Sequence, residues 1–330
     1  MSALHTRLRT AFERRAPLLA SKDTTAFRIC NAEADGVPDV TVDWFDGIAV
    51  LSLYRAFEPA GERALAEALL ETTGARSVYL KRRPREARVV ANVARPEVAP
   101  PEPLVGEAVE SVIAKENGLQ FLIRPGQGLP TGLYLDMRDV RDWLRRDGRV
   151  QGRTVLNTFA FTCAFGLYAH AGGAQRVVNL DLSRRVLDWG EENLRLNGGE
   201  PDRRDHLSGD CFDWLQRLAK KGERFDVVIL DPPSFSTSRG GPFPRFSAAK
   251  DYPRLAELAA RVVAPRGLLL AACNLEELRP DRFERMCLQG LSAAGRRLSR
   301  VEPLGASPID FPTPPGAVPP LKVRALLFAD

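Results

Sequence analysis

A doubly wound α/β sandwich with a mainly parallel sheet, preceded by a smaller α+β unit, is the fold class this sequence predicts. Three observations predict it. From Gly152 onwards strand-like and helix-like segments alternate, the rhythm of parallel strands joined by crossover helices. Before that point the chain reads differently, with two strands joined by a tight turn and one amphipathic helix. Between the two, Pro96 to Pro103 carries four prolines, the composition of a linker or crossing loop. A chain of 330 residues suggests about two domains, each able to bury a core, and the division is set at 1–100 and 101–330.

The elements follow in order. Residues 1 to about 25 read as a basic helix whose Leu4, Leu8 and Phe12 share an apolar face. Val40 to Trp44 and Ile48 to Tyr54 are strands joined at Phe45-Asp46-Gly47, a hairpin signal. Glu62 to Thr72 is a helix closed by Gly74, and Ser77 to Lys81 a strand. Residues 107–124 hold two short strands, and Arg138 to Arg146 a helix. The alternating part then runs through strands at Thr154 to Phe159, Arg176 to Asp181, His206 to Asp210, Phe225 to Leu230 and Gly267 to Ala272. Its helices lie at Gly166 to Ala171, Ser183 to Asn197, Phe212 to Lys220, Tyr252 to Val263 and Asp281 to Ala293. Two closing strands, Leu298 to Glu302 and Leu321 to Phe328, flank a proline-rich loop. Right-handed crossovers make this a three-layer arrangement.

Composition removes several classes. Hydrophobic content of 44% and charge of 27% are those of an ordinary globular protein. Apolar runs such as Leu268 to Cys273 are too short to span a membrane, and Met1 to Arg7 lacks a signal-like apolar core, so a cytoplasmic location is expected. The five cysteines are scattered without a CxxC pair and the three histidines do not cluster, which argues against a disulfide framework and a zinc site. The net charge is +5, and basic patches lie at Lys81-Arg82-Arg83-Pro84-Arg85 and Arg145-Arg146. They favour an anionic polymer as partner, the plain alternative being a solvated face.

The most informative motif is Asp231-Pro232-Pro233-Ser234-Phe235, directly after the strand Phe225 to Leu230. Two prolines end a strand, and in an open parallel sheet strand ends are where ligands bind. An acid, a rigid turn and a flat ring are presented together, which suits holding a planar base. Three other strand ends complete the pattern. The turn Asn157-Thr158-Phe159-Ala160-Phe161-Thr162-Cys163-Ala164-Phe165-Gly166 leads from strand to helix but is not GxGxxG, so it is poorly made to wrap a pyrophosphate. Asp181 is placed to accept from ribose hydroxyls, and Asp210 from an adenine amino group; each singly reads equally well as a helix cap or a solvated loop acid. An adenosine site without a phosphate cradle points to S-adenosylmethionine.

Residues 105–295 resemble the class I S-adenosylmethionine-dependent methyltransferases that modify large-subunit ribosomal RNA. Within them the resemblance is to the branch of the cytosine-C5 enzyme I and the guanine-N7 domain of the fused enzyme K/L. It is carried by Thr131-Gly132-Leu133-Tyr134-Leu135-Asp136-Met137-Arg138, Leu156 to Thr162, Asp181-Leu182-Ser183, Asn193-Leu194-Arg195-Leu196-Asn197-Gly198 and Asp231 to Phe235. Glu33 to Asp43 resembles the small α/β domain preceding the catalytic domain in that branch. The resemblance implies a Rossmann-like, mostly parallel seven-stranded sheet with an antiparallel C-terminal strand. It implies cofactor contacts from Tyr134, Asp136 and Arg138, from Asn157, Phe159, Phe161 and Thr162, and from Asp181, Ser183, Asp210, Cys211 and Asp231. Enzyme I begins with an RNA-binding PUA domain, for which this chain has no room; Lys81, Arg82, Arg83 and Arg239 are the residues expected to meet RNA phosphates. A homodimer is left open.

The methylated atom depends on the end of the fifth strand, Ala271-Ala272-Cys273-Asn274-Leu275. Cytosine C5 needs a cysteine thiolate to activate it, whereas guanine N7 offers an exposed lone pair and needs only positioning. Counted from Gly267, Asn274 falls in register with the catalytic Cys of enzyme I and the first Asn of the guanine-N7 domain. Cys273 lies one residue earlier on the opposite face and reads as a core residue. The expectation is therefore a non-covalent guanine-N7 enzyme with Asp231, Pro232, Phe235 and Asn274 at the reacting base. Alternatives are a cytosine-C5 enzyme using the cysteine, a methyltransferase for a small molecule or protein, and a non-catalytic RNA-binding factor.

Overall fold

The computed structural model describes residues 3–83, 96–236 and 246–329. Two compact units divide the chain, Met1–Arg138 with Ser307–Ala317, and Asp139–Ala306 with Val318–Asp330. The sequence placed the division near residue 100. By packing, the first unit runs on to Arg138 and takes back a segment from far along the chain.

In the first unit, α1 (Ala3–Glu13) and the short α2 (Ala16–Leu19) precede β1 (Ala26–Asn31), β2 (Val40–Phe45) and β3 (Ile48–Leu53). Then come α3 (Pro59–Thr73), β4 (Ser77–Arg82), β5 (Val105–Gly106) and the hairpin β6 (Val112–Glu116) and β7 (Leu119–Ile123). The first five strands form a sheet in the order β1-β2-β3-β4-β5. The β2–β3 turn places Asp46 at φ 48° and Gly47 at φ 88°, the pair of left-handed residues that a tight hairpin requires. Helix α3 starts at a proline and stops at Gly74, which takes the left-handed cap its missing Cβ permits. Leu8 of α1, Leu65 and Leu69 of α3, and Phe27, Val42, Leu51 and Leu80 of the sheet share one core. Strand β1 was not foreseen as such, because Arg28 interrupts its apolar run.

The return segment is anchored through charge. Asp310 is fully buried and receives both terminal nitrogens of Arg138, at 2.8 and 2.7 Å. Arg15, also fully buried, binds Asp35 at 2.8 and 2.6 Å and donates to the Asp310 carbonyl at 3.2 Å.

The second unit opens with α4 (Arg138–Arg145) and alternates thereafter: β8 (Thr154–Thr158), α5 (Ala164–Ala171), β9 (Arg176–Asp181), α6 (Arg184–Leu196), β10 (His206–Ser208), α7 (Cys211–Lys220) and β11 (Phe225–Leu230). A two-residue ladder, β12 (Phe235–Ser236) and β13 (Phe246–Ser247), leads into α8 (Ala248–Ala260), β14 (Val263–Cys273), α9 (Pro280–Ala293), β15 (Leu298–Leu304) and β16 (Lys322–Phe328). The sheet order is β10-β9-β8-β11-β14-β16-β15, parallel except for β16, which runs antiparallel to both neighbours. This is the seven-stranded architecture expected. Among the described residues no helix is long and apolar enough to cross a membrane.

That order fixes where a ligand fits. From β8 the chain winds outward one way to β9 and β10, and from β11 the other way to β14. The reversal falls between the adjacent strands β8 and β11, and the carboxyl ends at such a switch point are where open α/β sheets take ligands.

Candidate functional site

Parallel register brings the predicted strand-end residues to one level. Thr158 pairs with Leu180 on one side and Leu230 on the other, so Phe159, Asp181 and Asp231 each follow the same rung. Asp181 and Asp231 thus stand two strand spacings, about 10 Å, apart across the switch point. Ser208 pairs with Asp181, which puts Gly209 and Asp210 just beyond it. Leu230 pairs with Ala271, so Cys273 and Asn274 follow on the far side of Asp231.

Asp181 is half-buried and tightly positioned. Its Oδ2 accepts the Phe161 backbone N–H and its Oδ1 that of Ser183, both at 2.9 Å. Burial pushes its carboxyl up from the ordinary range, against the pull of backbone N–H groups of Ser183, Phe161 and Leu182. A carboxylate has acceptor capacity beyond two such bonds. Asp210 caps α7 by accepting from the Asp213 N–H at 3.1 Å, so its cap role and a ligand role share one side chain.

The turn after β8 shows how a glycine-poor sequence makes a tight strand-to-helix loop. Phe159, Phe161 and Cys163 all take left-handed backbone, at φ 53°, 48° and 61°. Glycine is the residue that enters this region without steric cost, so three larger residues hold it under strain. The ties are visible: the Ala160 N–H donates to Leu180 and the Phe161 N–H to Asp181. Asn193 Nδ2 reaches across from α6 to the Thr162 carbonyl at 3.1 Å, and this is what the Asn193 motif contributes. Gly190 permits the approach, since a Cβ there would lie 2.3 Å from the Cys163 sulfur. Rings then gather at the strand ends, Phe159 6.3 Å from Phe246 and Phe212 6.0 Å from Phe246. Sequence reading missed Phe212 and Phe246; position alone, just after Asp210 and beside the Phe235 strand, could have signalled them.

Phe235 is 54% exposed, in the rung where it pairs with Ser247. Asp231 is half-buried and Pro232 buried beneath it. Asn274 is exposed at the mouth of β14, whereas Cys273, at 1% exposure, belongs to the main core. Burial pushes the Cys273 thiol up, as it does every cysteine of the chain. Two residues that sequence reading missed hold this strand end. Tyr252 is fully buried and donates to the Ala272 carbonyl at 2.8 Å. Buried Lys322 donates to the Leu275 carbonyl at 2.5 Å.

Other expected positions carry different duties. Asn157 lies inside β8, 2% exposed, and its amide is spent on Asn179 at 2.9 Å, so it braces neighbouring strands. Thr162 is fully buried beneath the turn. Ser183 stands at the α6 N-cap, but its side chain makes no capping bond. Cys211 is buried in the core as the first residue of α7. Tyr134 is 51% exposed and Asp136 half-buried. Arg138 was expected to close a cofactor pocket; its guanidinium is instead taken up by Asp310.

The basic run at residues 81–83 also needs correcting. Lys81 is fully buried and its ammonium donates to the carbonyls of Pro125 and Gly128 at 2.5 and 2.6 Å, so it faces no phosphate. Arg82 forms a two-pronged pair with Glu62 at 2.7 and 2.5 Å, and Arg83 donates to the Leu129 carbonyl at 3.0 Å. Arg239 lies outside the described residues. Among the described residues no group of three or more His, Cys, Asp or Glu could hold a metal ion.

Carboxylates at neighbouring strand ends beside the switch point, without a phosphate-wrapping glycine loop, suit a nucleoside cofactor. Comparison with known proteins agrees: residues 29–329 match the family model described as S-adenosylmethionine-dependent methyltransferase. The chain belongs to this family. Among curated relatives, the ribosomal RNA large subunit methyltransferase of Deinococcus radiodurans is 34% identical over 296 residues, covering 88% of this chain and 71% of that protein. The ribosomal RNA large subunit methyltransferase I of Aeromonas salmonicida is 32% identical over 291 residues, with 88% and 71% covered. The solved structure of SMU.776, complexed with SAH, superposes with a TM-score of 0.83 at 27% identity, over 99% of this chain and 82% of that one. The methyltransferase uses S-adenosylmethionine as its cofactor.

Proposed function

We propose that this methyltransferase modifies a base of large-subunit ribosomal RNA, that the base is a guanine, and that the accepting atom is N7. The observation that carries the reading is the exposed Phe235 ring trailing Asp231-Pro232-Pro233 at the switch point, in a chain whose relatives are named for ribosomal RNA. When bound, S-adenosylmethionine supplies a methyl group on a positively charged sulfur. Asp181 would accept from its ribose hydroxyls, and Asp210 from its adenine amino group. Phe235 would stack on an unpaired or flipped base. Asp231 would accept hydrogen bonds from the base edge, and its charge would favour the cationic purine that N7 methylation leaves. Guanine N7 carries no proton, so no general base is needed.

Support for a non-covalent route comes from Cys273. A thiol buried in the core and held protonated by that burial is poorly suited to attack a pyrimidine. The cytosine-C5 reading has two observations in its favour, the name methyltransferase I among the relatives and the place of Cys273 beside Asn274 at the end of β14. One experiment separates them. Ribosomal RNA methylated by the purified enzyme is digested and its nucleosides are identified by mass spectrometry, with Cys273→Ala alongside wild type. The expected product is 7-methylguanosine from both proteins. Finding 5-methylcytidine, lost in Cys273→Ala, would overturn the non-covalent reading. No methylated nucleoside from either protein would remove ribosomal RNA as the substrate.

A further inference from the structure

Among the exposed cations of the described residues, Lys250 and Arg282 lie on two neighbouring helices. Helices α8 and α9 pack side by side and leave a groove of about 460 Å³ over their N-terminal halves. Lys250 from α8 and Arg282, Arg285 and Gln289 from α9 line it, over a floor that includes Pro253 and Met286. No carboxylate is among its described lining residues. At its inner end the helices nearly touch, for a Cβ on Gly290 would lie 2.3 Å from the Pro253 carbonyl oxygen.

The nearby carboxylates already have partners, and one of those partners, Arg285, lines the groove. Asp251 accepts the Ser247 N–H at 2.8 Å, and Glu284 binds Arg324 at 2.7 Å. Asp281 pairs with Arg285 at 3.0 Å and Arg279 at 3.4 Å. The side chains of Lys250 and Arg282 have no hydrogen bond or ion pair with any described residue, and both are exposed. Each is also the third residue of its helix, in the first turn, where the backbone dipole and unpaired N–H groups disfavour a cation. Two cations without a partner among the described residues, where the local field opposes them, cost stability unless an anion covers them.

The groove adjoins the place assigned to the base. The Ala248 N–H, the first of α8, donates to the Ser234 carbonyl at 3.0 Å, and Ser247 pairs with Phe235. Lys250 is therefore less than one helical turn from the strand carrying that ring. We infer that the α8–α9 groove holds phosphates of the RNA strand flanking the target base, an inference that rests on reading the substrate as RNA. Charge complementarity and this short hydrogen-bonded link through Ser247 to Phe235 select a nucleic-acid backbone over an apolar peptide.

The test uses the full chain and a large-subunit ribosomal RNA fragment that wild type methylates. Affinity is followed by fluorescence anisotropy over a series of salt concentrations, for wild type, Lys250→Ala/Arg282→Ala and Arg282→Lys. The double variant is expected to bind about tenfold more weakly. Its slope of log affinity against log salt should fall by about 1.4, roughly 0.7 for each single-strand phosphate no longer neutralised. Arg282→Lys should keep the wild-type slope. Cofactor affinity by calorimetry should not change, and the double variant should unfold no more readily than wild type, since it removes unfavourable first-turn cations. A double variant with wild-type affinity and slope overturns the groove assignment while leaving the RNA reading intact. A wild type with no salt-dependent affinity for RNA sinks both.

Discussion

Two populations of charged side chains in this protein behave in opposite ways. In the first unit Arg15, Asp35, Arg138, Asp310 and Lys81 are buried, and their polar atoms are met by partners inside the protein. At the strand ends of the second unit, Asp181, Asp210 and Asp231 are half-buried, and on α8 and α9 Lys250 and Arg282 are exposed. The first population can only hold the chain together, since a saturated ion pair offers nothing to a ligand. The second keeps acceptor capacity at the strand ends where the sheet reverses and donor capacity on the α8–α9 groove. The contrast predicts that substitutions in the first group cost stability and those in the second cost binding.

The largest effect is expected at Arg138. Replacing it by Met leaves Asp310 buried without its guanidinium and should lower unfolding free energy by about 3–5 kcal/mol. Urea unfolding measures this, and Arg138→Met/Asp310→Leu should recover much of the loss. A single variant as stable as wild type would erase the distinction between the two populations.

Lys81 sharpens it through pH. Burial, with Arg83 nearby, lowers its ammonium pKa from 10.5 to about 8. A lysine whose folded pKa lies below its unfolded value binds fewer protons when folded, so stability rises with pH between those two values. Wild type should therefore gain on Lys81→Met by about 3 kcal/mol as pH goes from 8 to 10.5. Unfolding curves for both proteins at intervals of one pH unit test this; parallel profiles would mean that Lys81 is not desolvated.

At the strand ends the expected losses are in affinity. Asp181→Ala should weaken S-adenosylmethionine binding by about 100-fold, the scale of losing hydrogen bonds to a charged acceptor. Calorimetry reads the affinity, and a variant within threefold of wild type would remove Asp181 from the site. The smallest effect is expected at Phe235, whose exposed ring fills no core. Phe235→Ala should reduce kcat/KM for RNA roughly tenfold through lost base stacking, with cofactor affinity and unfolding midpoint unchanged. If cofactor affinity fell instead, Phe235 would belong to a different pocket.

Much of the architecture was legible in the residues. Phe225 to Leu230 reads as a strand buried on both faces, and the prolines after Asp231 stop it at the point observed. Strand β9 likewise begins at Arg176 and ends at Asp181, where the alternation places it. Placement in the candidate site was legible where it follows from one strand, as for Asp181, Asp231 and Asn274 at or just past strand ends. It was not legible where a partner decides the role. Asn157 looks like a strand-end ligand until Asn179 takes its amide, and the left-handed phenylalanines of the turn after β8 carry no mark in the sequence. Lys81, Arg82 and Arg83 read as a surface patch because their neighbours in sequence are basic, whereas their neighbours in space are carbonyls and a glutamate.

By itself, then, the sequence determined the order of strands and helices, the break at the double proline and the acids that crown the strands. Those features depend on residues close together along the chain, where turn chemistry and apolar runs act locally. Only the tertiary structure decided which charges are used up, because the decisive pairs join distant positions, Arg138 and Asp310 being 172 residues apart. Desolvation and pairing set the fate of an ionised group, and both are properties of the folded surroundings.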